Sequence, residues 1–481
     1  MSTAAAASTG RPGPTAPAMR RRRSGRRLPS AIPARVAVIV ATALYAASLY
    51  YAYRVYLEPQ WGYLGFSFRP PDGFEVLAIV VLLAGGAMVV PTRLTRPSAT
   101  VLMFLYIIVY VPGILISFCV DADRMPRYLP YTVAMLVALA TASWASGRST
   151  PPHRQQHEAT VVPGPAILAG FLVAWIAMSL ILVATYRDVM TLVALDDVYG
   201  QRAAGASTGA LNAYLQTYYA GVVNPGLLAI GLRYRRPGAI VLGVVGSVLM
   251  YAVNAQKTVL LLPLLMVAVH VQLSSRMSAL RTIAAPLAVF AVVTVIAVAQ
   301  WEDNLVAGAL ALFLVGRTLA MPGLTFSQYF DQFDTEGFTF WSHIRGFDLV
   351  IPAPAAYAGD PLWPGLGYML GDRLFGMPEF NMNANLLVSD GIAAAGAAGV
   401  LVVGVALAAY LYALDRVSSR WDRRFSQLAV LPIGVALTNG QLSTTLLSFG
   451  GFFWLLFFAF LGRSTRRRVR SSRRRLVPGP T

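Results

Sequence analysis

Long apolar windows repeat along the whole of the 481-residue chain. A helix needs about 20 apolar residues to cross a hydrocarbon core of about 30 Å. Windows of this kind lie near 36–57, 74–91, 98–119, 128–146, 162–184, 217–232, 238–254, 257–273, 282–300, 386–413, 426–441 and 444–461. Only 12% of the residues are charged, against about 25% in soluble domains. The sequence therefore predicts an all-α, polytopic membrane protein of about twelve transmembrane helices, and it excludes most classes of soluble enzyme.

Basic residues are concentrated at the two ends of the chain. The formal net charge is +18, and residues 1–35 and 462–481 each contain eight arginines and no acid, which leaves +2 for the segment between them. Basic segments beside apolar spans mark the cytoplasmic side and attract anionic headgroups. We predict a disordered cytoplasmic tail at 1–35, a transmembrane domain at 36–461 and a second cytoplasmic tail at 462–481. Their expected partners are anionic membrane lipids rather than nucleic acid.

The loops between the windows divide by charge. Those predicted to be cytoplasmic contain 13 basic and 3 acidic residues, whereas the other side is mainly acidic. This bias favours an even number of spans with both termini in the cytoplasm. The longest extracytoplasmic loop, 301–385, includes an apolar run, 305–320, interrupted by Gly316-Arg317. We predict that this run is a re-entrant or interfacial helix. Because long loops are usually functional, we expect the working surface to face outward.

Four cations on the predicted outer side are candidates for binding an anionic substrate. Lys257, the only lysine, either snorkels to the interface or provides a point charge for a phosphate. Arg317 lies inside an apolar run, where an arginine is a functional candidate by default, although the acids at 302 and 303 could neutralise it structurally. Its guanidinium fork suits a diphosphate. Arg345 and Arg202 lie in the two long outer loops.

One histidine and several acids in the loop 301–385 are candidate bases. Of the four histidines, His343 is the only one on the predicted outer face, and it is either a structural residue or the general base. Asp331 is the competing base, followed by Asp334 and Glu336. Aromatic residues, among them Tyr329, are dense in this loop. They indicate either a sugar-binding cleft or an interfacial aromatic belt.

Polar residues also surround the start of the tenth window. Asn383 and Asn385 are two residues apart, so an extended segment would place both on one face, where they would bind sugar hydroxyls or cap the following helix. Asp390 lies inside the apolar window and would be costly there without a cationic partner. We expect that partner to be Arg373 or another cation.

Several catalytic patterns are missing from the sequence. There is no phosphate-binding glycine loop, no dinucleotide-binding glycine pattern and no HExxH sequence. The single cysteine, Cys119, cannot form an intrachain disulfide or a cysteine-based metal site. We therefore predict neither a metal site nor a cofactor.

Short motifs along residues 75–460 resemble those of one family of membrane enzymes. They are Pro91-Thr92-Arg93-Leu94, Tyr106-Ile107-Ile108-Val109-Tyr110-Val111-Pro112-Gly113, Gln256-Lys257-Thr258, Gly316-Arg317-Thr318, Pro322-Gly323-Leu324, Tyr329, Ser342-His343, Asn383-Ala384-Asn385 and Asp390-Gly391. On these motifs the chain resembles the Wzy-type O-antigen polymerases, or oligosaccharide repeat unit polymerases. The resemblance implies a GT-C-like glycosyltransferase of the bacterial inner membrane that uses polyprenyl-diphosphate-linked oligosaccharide without a metal. Flippase and chain-length regulator proteins are then expected partners.

The residues and the resemblance together give a mechanistic hypothesis. Arg317, Lys257 and Arg345 would hold the diphosphate and stabilise its growing charge, while His343, or failing it Asp331, would take the acceptor proton. Two alternatives stay open. One is an O-antigen ligase-like enzyme, which passes finished glycan to another acceptor. The other is a lipid-linked oligosaccharide flippase or transporter, which would be expected to line a central cavity with charges in mid-span.

Overall fold

The computed structural model describes residues 34–120, 125–148, 161–192 and 209–461. Nearly all of both predicted tails, and the candidate Arg202, lie outside these ranges. Within them the chain is helical, with two isolated β-bridges and no strand, so the all-α prediction is confirmed for this part. The first helix begins at Ala34. Arg35, placed in the tail from the sequence, is therefore helical, and it donates to the carbonyl oxygens of Ala87 and Val90 at 2.7 Å.

Eight helices in the described ranges are long and apolar enough to cross a membrane, as a multi-pass membrane protein requires. They are Ala34–Leu64, Pro97–Val120, Pro126–Arg148, Pro165–Tyr186, Pro237–Asn254, Lys257–Ser274, Leu305–Glu336 and Leu387–Ser418. Three shorter apolar helices are Gly73–Val89, Ala284–Ala299 and Gly451–Leu461. The remaining helical segments are 210–234, Leu366–Phe375, Arg423–Ala429, Leu431–Ala436 and Leu442–Leu447. Seven of the eight long helices coincide with predicted windows, which confirms a membrane protein with several spans.

Two segments differ from the predicted spans. The apolar run after Asn304 does not stop at Gly316-Arg317, because it is part of one continuous helix, Leu305–Glu336, which we call the long helix. The prediction of a short re-entrant or interfacial helix is wrong in extent, since the long helix has 32 residues and is itself long enough to span. Conversely, the window 426–441 is not one helix. It is divided at Val430 into two short helices, the second with a proline in its first turn, where a missing N–H is tolerated.

Loops predicted to be cytoplasmic meet at one end of the helices. The backbone N–H of Leu94 donates to the carbonyl of Arg281 at 3.1 Å, and that of Asp422 donates to the carbonyl of Val161 at 2.9 Å. We call this the arginine-rich end, and it comprises residues 91–98, 146–148, 161–165, 233–237, 274–284 and 415–424. The loops predicted to share one side are therefore neighbours in the fold.

The helix Leu387–Ser418 reverses direction near its start. Ala395 and Gly396 leave the helical conformation, and Gly396 has φ +59° and ψ −140°, a region that favours glycine. The residues before the reversal fold back, so that Gly391 packs against Gly399. We call residues 387–404 the hairpin. It places Asp390 inside the protein instead of at a helix end.

Gly399→Ala is expected to destabilise the hairpin. A Cβ at position 399 would lie 2.1 Å from the carbonyl oxygen of Gly391, and overpacking of this kind costs about 1–3 kcal/mol. The melting temperature in detergent should therefore fall. Gly238→Ala is the matched control, because no heavy atom lies within 4 Å of its Cβ position and alanine is the better helix former. Equal melting temperatures for the two variants would contradict the close packing of the hairpin.

Candidate functional site

A buried histidine and a buried aspartate face each other where the hairpin meets the segment after the long helix. Nε2 of His343 and Oδ1 of Asp390 are 3.7 Å apart, and the side chains are 0% and 3% exposed. Neither atom has a hydrogen-bond partner among the residues that the structure describes. A buried polar atom without a partner costs about 1–3 kcal/mol, and such atoms in a native fold call for an explanation such as a catalytic role.

The Thr339 hydroxyl fixes the orientation of the His343 ring. Its oxygen lies 2.7 Å from Nδ1 of His343 and 3.1 Å from the carbonyl oxygen of Ala393. Because Nδ1 is bonded to this hydroxyl, Nε2 is the nitrogen that faces Asp390.

The turn before His343 has a strained backbone. Phe340 and Trp341 have φ of 50° and 63°, a region that bulky residues rarely adopt. Strain of about 1–3 kcal/mol per residue persists where the surroundings enforce it, and it clusters at active sites. Here the hairpin enforces it, because the backbone N–H of Phe340 donates to the carbonyl of Ala394 at 2.9 Å.

The structure corrects the predicted partner of Asp390. Its Oδ2 accepts a hydrogen bond from the backbone N–H of Leu442 at 2.7 Å, and its Oδ1 faces His343. Arg373 instead pairs with Glu336, and with Asp360 at 3.0 Å. Because these two carboxylates already bind its guanidinium, Arg373 is not the ion-pair partner of Asp390.

Two of the three competing acids of the long helix are paired with arginines. Asp334 pairs with Arg127, and Glu336 pairs with Arg373. Asp331, the alternative base, is partly buried on the same helix. The imidazole of His343 is buried, and its role as the base stays a prediction.

The predicted sugar-binding residues differ in exposure. Tyr329 is 1% exposed and donates its hydroxyl proton to the carbonyl of Met382 at 3.1 Å, so its ring lies in the core. This burial corrects the prediction that it stacks on a sugar. Asn383 is exposed outside any helix, so it does not share one face with Asn385 as predicted. Asn385 is buried, and its Oδ1 accepts from the backbone N–H of Leu387 at 3.0 Å, which is the helix-capping contact expected as its alternative role.

Lys257 contacts the part of the long helix that carries Arg317. Nζ of Lys257 lies 3.9 Å from the ring centre of Phe313, and the guanidinium carbon of Arg317 lies 5.3 Å from that of Trp61. Phe313 and Arg317 are four residues apart, so they are neighbours on one helix face. Within the described ranges Arg317 has no ion-pair partner, and we call Lys257 and Arg317 the cation pair.

Arg317 and the segment that carries His343 are separated along the chain. Arg317 lies nineteen residues before Glu336 on the long helix, and Thr339, which binds His343, follows Glu336 by three residues. A base and the ligand of a leaving phosphate must both lie within a few ångströms of the reacting atoms. The hypothesis of one site that contains Arg317, Lys257 and His343 stays a prediction.

Arg345 is the predicted cation nearest to His343 in the chain. Its side chain is exposed, two residues after the buried histidine, and within the described ranges it has no ion-pair partner.

Several residues of the site were not found from the sequence. Thr339 and the backbone at Leu442 act only through contacts that the hairpin creates, and no local pattern marks them. Trp61 and Phe313 offer aromatic faces to cations from distant segments. His343 and Asp390 could be identified from the sequence, because a lone histidine and an aspartate in an apolar window both need partners.

Comparisons of this chain with models of known protein families, with curated proteins and with solved structures found no match.

Proposed function

We propose that this protein polymerises polyprenyl-diphosphate-linked oligosaccharide repeat units of a surface polysaccharide by metal-independent glycosyl transfer. The observation that carries the proposal is the buried pair of His343 and Asp390 behind a strained turn. An imidazole nitrogen beside a carboxylate suits a general base. The motifs that resemble the Wzy-type polymerases supply the class of substrate.

We place the protein in the inner membrane of a bacterium, with about twelve crossings in a GT-C-like arrangement and both termini in the cytoplasm. Two facts support this orientation: the arginine-bearing loops meet at one end of the helices, and such loops face the cytoplasm in most membrane proteins. The segment 337–385 then faces outward. A flippase that delivers lipid-linked units and a chain-length regulator are the expected protein partners.

The chemistry assigned to His343 is removal of the acceptor proton. A hydroxyl of the terminal sugar of one repeat unit donates its proton to Nε2, and its oxygen attacks the anomeric carbon of the donor glycan. The bond between that carbon and the diphosphate breaks, and polyprenyl diphosphate leaves with the electron pair. Asp390 stabilises the imidazolium. Because His343 is buried, the turn at Phe340 and Trp341 opens to admit the hydroxyl.

In this proposal Arg345 and the cation pair bind the diphosphates of two different substrates. Arg345, next to the strained turn, holds the diphosphate of the donor and stabilises its growing charge. The cation pair holds the diphosphate of the acceptor, which lies one repeat unit away from the reacting hydroxyl. This division follows the chain, because Arg317 lies within the long helix and Arg345 lies in the segment after it.

The proposal is tested by the products of the purified full chain. Proteoliposomes that contain the protein and lipid-linked repeat units should form a ladder of glycans that differ by one repeat unit, resolved by gel electrophoresis. A single addition to a different acceptor, without a ladder, would indicate a ligase. Movement of lipid-linked units across the bilayer without extension would indicate a flippase, and either result would overturn the proposed polymerase.

A further inference from the structure

Four arginines gather where three helices meet at the arginine-rich end. The segment 210–234 and the helix Lys257–Ser274 end there, and the helix Arg423–Ala429 begins there. Contacts join them, since Arg424 donates to the Ser274 hydroxyl at 3.3 Å. The four residues, which we call the arginine cluster, are Arg233, Arg281, Arg423 and Arg424.

One carboxylate makes an ion pair with the cluster in the part of the chain that the structure describes. Asp422 accepts two hydrogen bonds from Arg233, at 2.8 and 2.7 Å, and a third from the backbone N–H of Phe425 at 3.0 Å. Burial is the largest single effect and raises the pKa of Asp422, but the hydrogen bonds from Arg233 and from the backbone N–H groups of Phe425 and Arg424, together with the charge of Arg233, outweigh it and lower the pKa. The negative charge of Asp422 is therefore committed to Arg233.

The other members of the cluster bind neutral groups or face one another. Arg281 donates to the carbonyl of Ser275 at 2.6 Å, and Arg424 donates to a serine hydroxyl. Partial burial lowers the pKa of Arg423, and the nearby positive charges of Arg281 and Arg424 lower it further. Like charges at short range repel, so the cluster carries positive charge that the described residues do not neutralise.

Two buried polar atoms near the cluster also lack hydrogen-bond partners within the described ranges. They are Nδ1 of His270 and the hydroxyl of Tyr234. His270 lies one turn before Ser274 on the same helix, and the Tyr234 ring packs against Phe425 with the ring centres 6.4 Å apart. Both atoms can form a hydrogen bond with a phosphate that enters among the arginines.

We propose that Arg281, Arg423 and Arg424 form a binding site for the phosphate group of an anionic phospholipid. Guanidinium groups bind phosphate oxygens through paired hydrogen bonds. The cluster lies at the ends of apolar helices, and cations at the ends of membrane spans attract anionic lipid. Because this site is built from folded helices, it binds one lipid in saturable fashion. It is also independent of the proposed glycosyl transfer.

The test is lipid binding by the full chain in detergent, measured by native mass spectrometry. Phosphatidylglycerol, phosphatidylcholine and inorganic phosphate are titrated separately. We expect saturable binding of phosphatidylglycerol, and a loss of affinity of about tenfold or more in the double variant Arg281→Gln/Arg424→Gln, as for removal of charge-assisted hydrogen bonds. The control Arg236→Gln/Arg276→Gln removes the same charge from exposed positions at the same end and should change affinity about twofold or less.

Three results would overturn the assignment. The first is equal binding of phosphatidylglycerol and phosphatidylcholine by the unaltered chain. The second is equal loss of affinity in both double variants, which would show a general charge effect. The third is binding of inorganic phosphate alone that the cluster variant abolishes, which would assign the site to a soluble phosphate. A melting temperature measured for each variant excludes unfolding as the cause of lost binding.

Discussion

His343→Gln is expected to reduce the initial rate of repeat-unit transfer by about 10²–10⁴-fold, the usual contribution of a general base. Glutamine keeps a polar side chain of similar length but cannot take up a proton at neutral pH. The measurement is the rate of ladder formation by the purified variant in proteoliposomes with lipid-linked repeat units. The melting temperature should stay near that of the unaltered protein, because the amide can still bond to Thr339.

Two further variants separate the proton transfer from the positioning of the imidazole. Thr339→Val keeps His343 but removes the hydroxyl that bonds to its Nδ1, and a loss of about tenfold is expected for one hydrogen bond. Asp390→Asn keeps an acceptor for the Leu442 N–H and removes the charge that stabilises the imidazolium. If His343→Gln transferred repeat units at the unaltered rate, the base would have to be sought elsewhere, first at Asp331.

The helical class of the fold could be predicted because it depends on local composition. Each window of about 20 apolar residues buries its backbone polar groups only as a helix, and this is visible without any tertiary contact. The predicted spans differ from the structure where tertiary packing, and not local composition, determines whether a helix continues. The segment 426–441 was predicted as one span, yet it is broken at Val430. Arg317 is charged, yet the long helix continues through it, with the guanidinium over the Trp61 ring.

Only part of the candidate site could be predicted from the sequence, again because tertiary packing determines which residues meet. His343 and Asp390 stood out as polar residues that need partners, but 47 residues separate them, and a reversal at Ala395 and Gly396 brings them together. Nothing local to Asp390 indicates that a histidine, and not Arg373, is its neighbour. Which acids neutralise Arg373 depends likewise on where the long helix ends.

The double variant Lys257→Ala/Arg317→Ala is expected to raise the KM for the lipid-linked acceptor by about 10²-fold and to change kcat only a few-fold. Each charge-assisted hydrogen bond to a phosphate contributes about 1.5–3 kcal/mol. In the proposed arrangement these bonds form equally in the ground state and the transition state, because the acceptor diphosphate does not react. Loss of such uniform binding raises KM and leaves kcat unchanged. Initial rates at varied acceptor concentration measure both constants.

Arg54→Ala is the matched control for this variant. Its guanidinium carbon lies 4.2 Å from the ring centre of Phe68, an arrangement like that of Arg317 over Trp61, and it forms an exposed ion pair with Glu58 at 3.8 Å. Because an exposed pair contributes about 0–1 kcal/mol, its loss should leave KM nearly unchanged. A fall in kcat with constant KM in the double variant would place the cation pair at the reacting carbon.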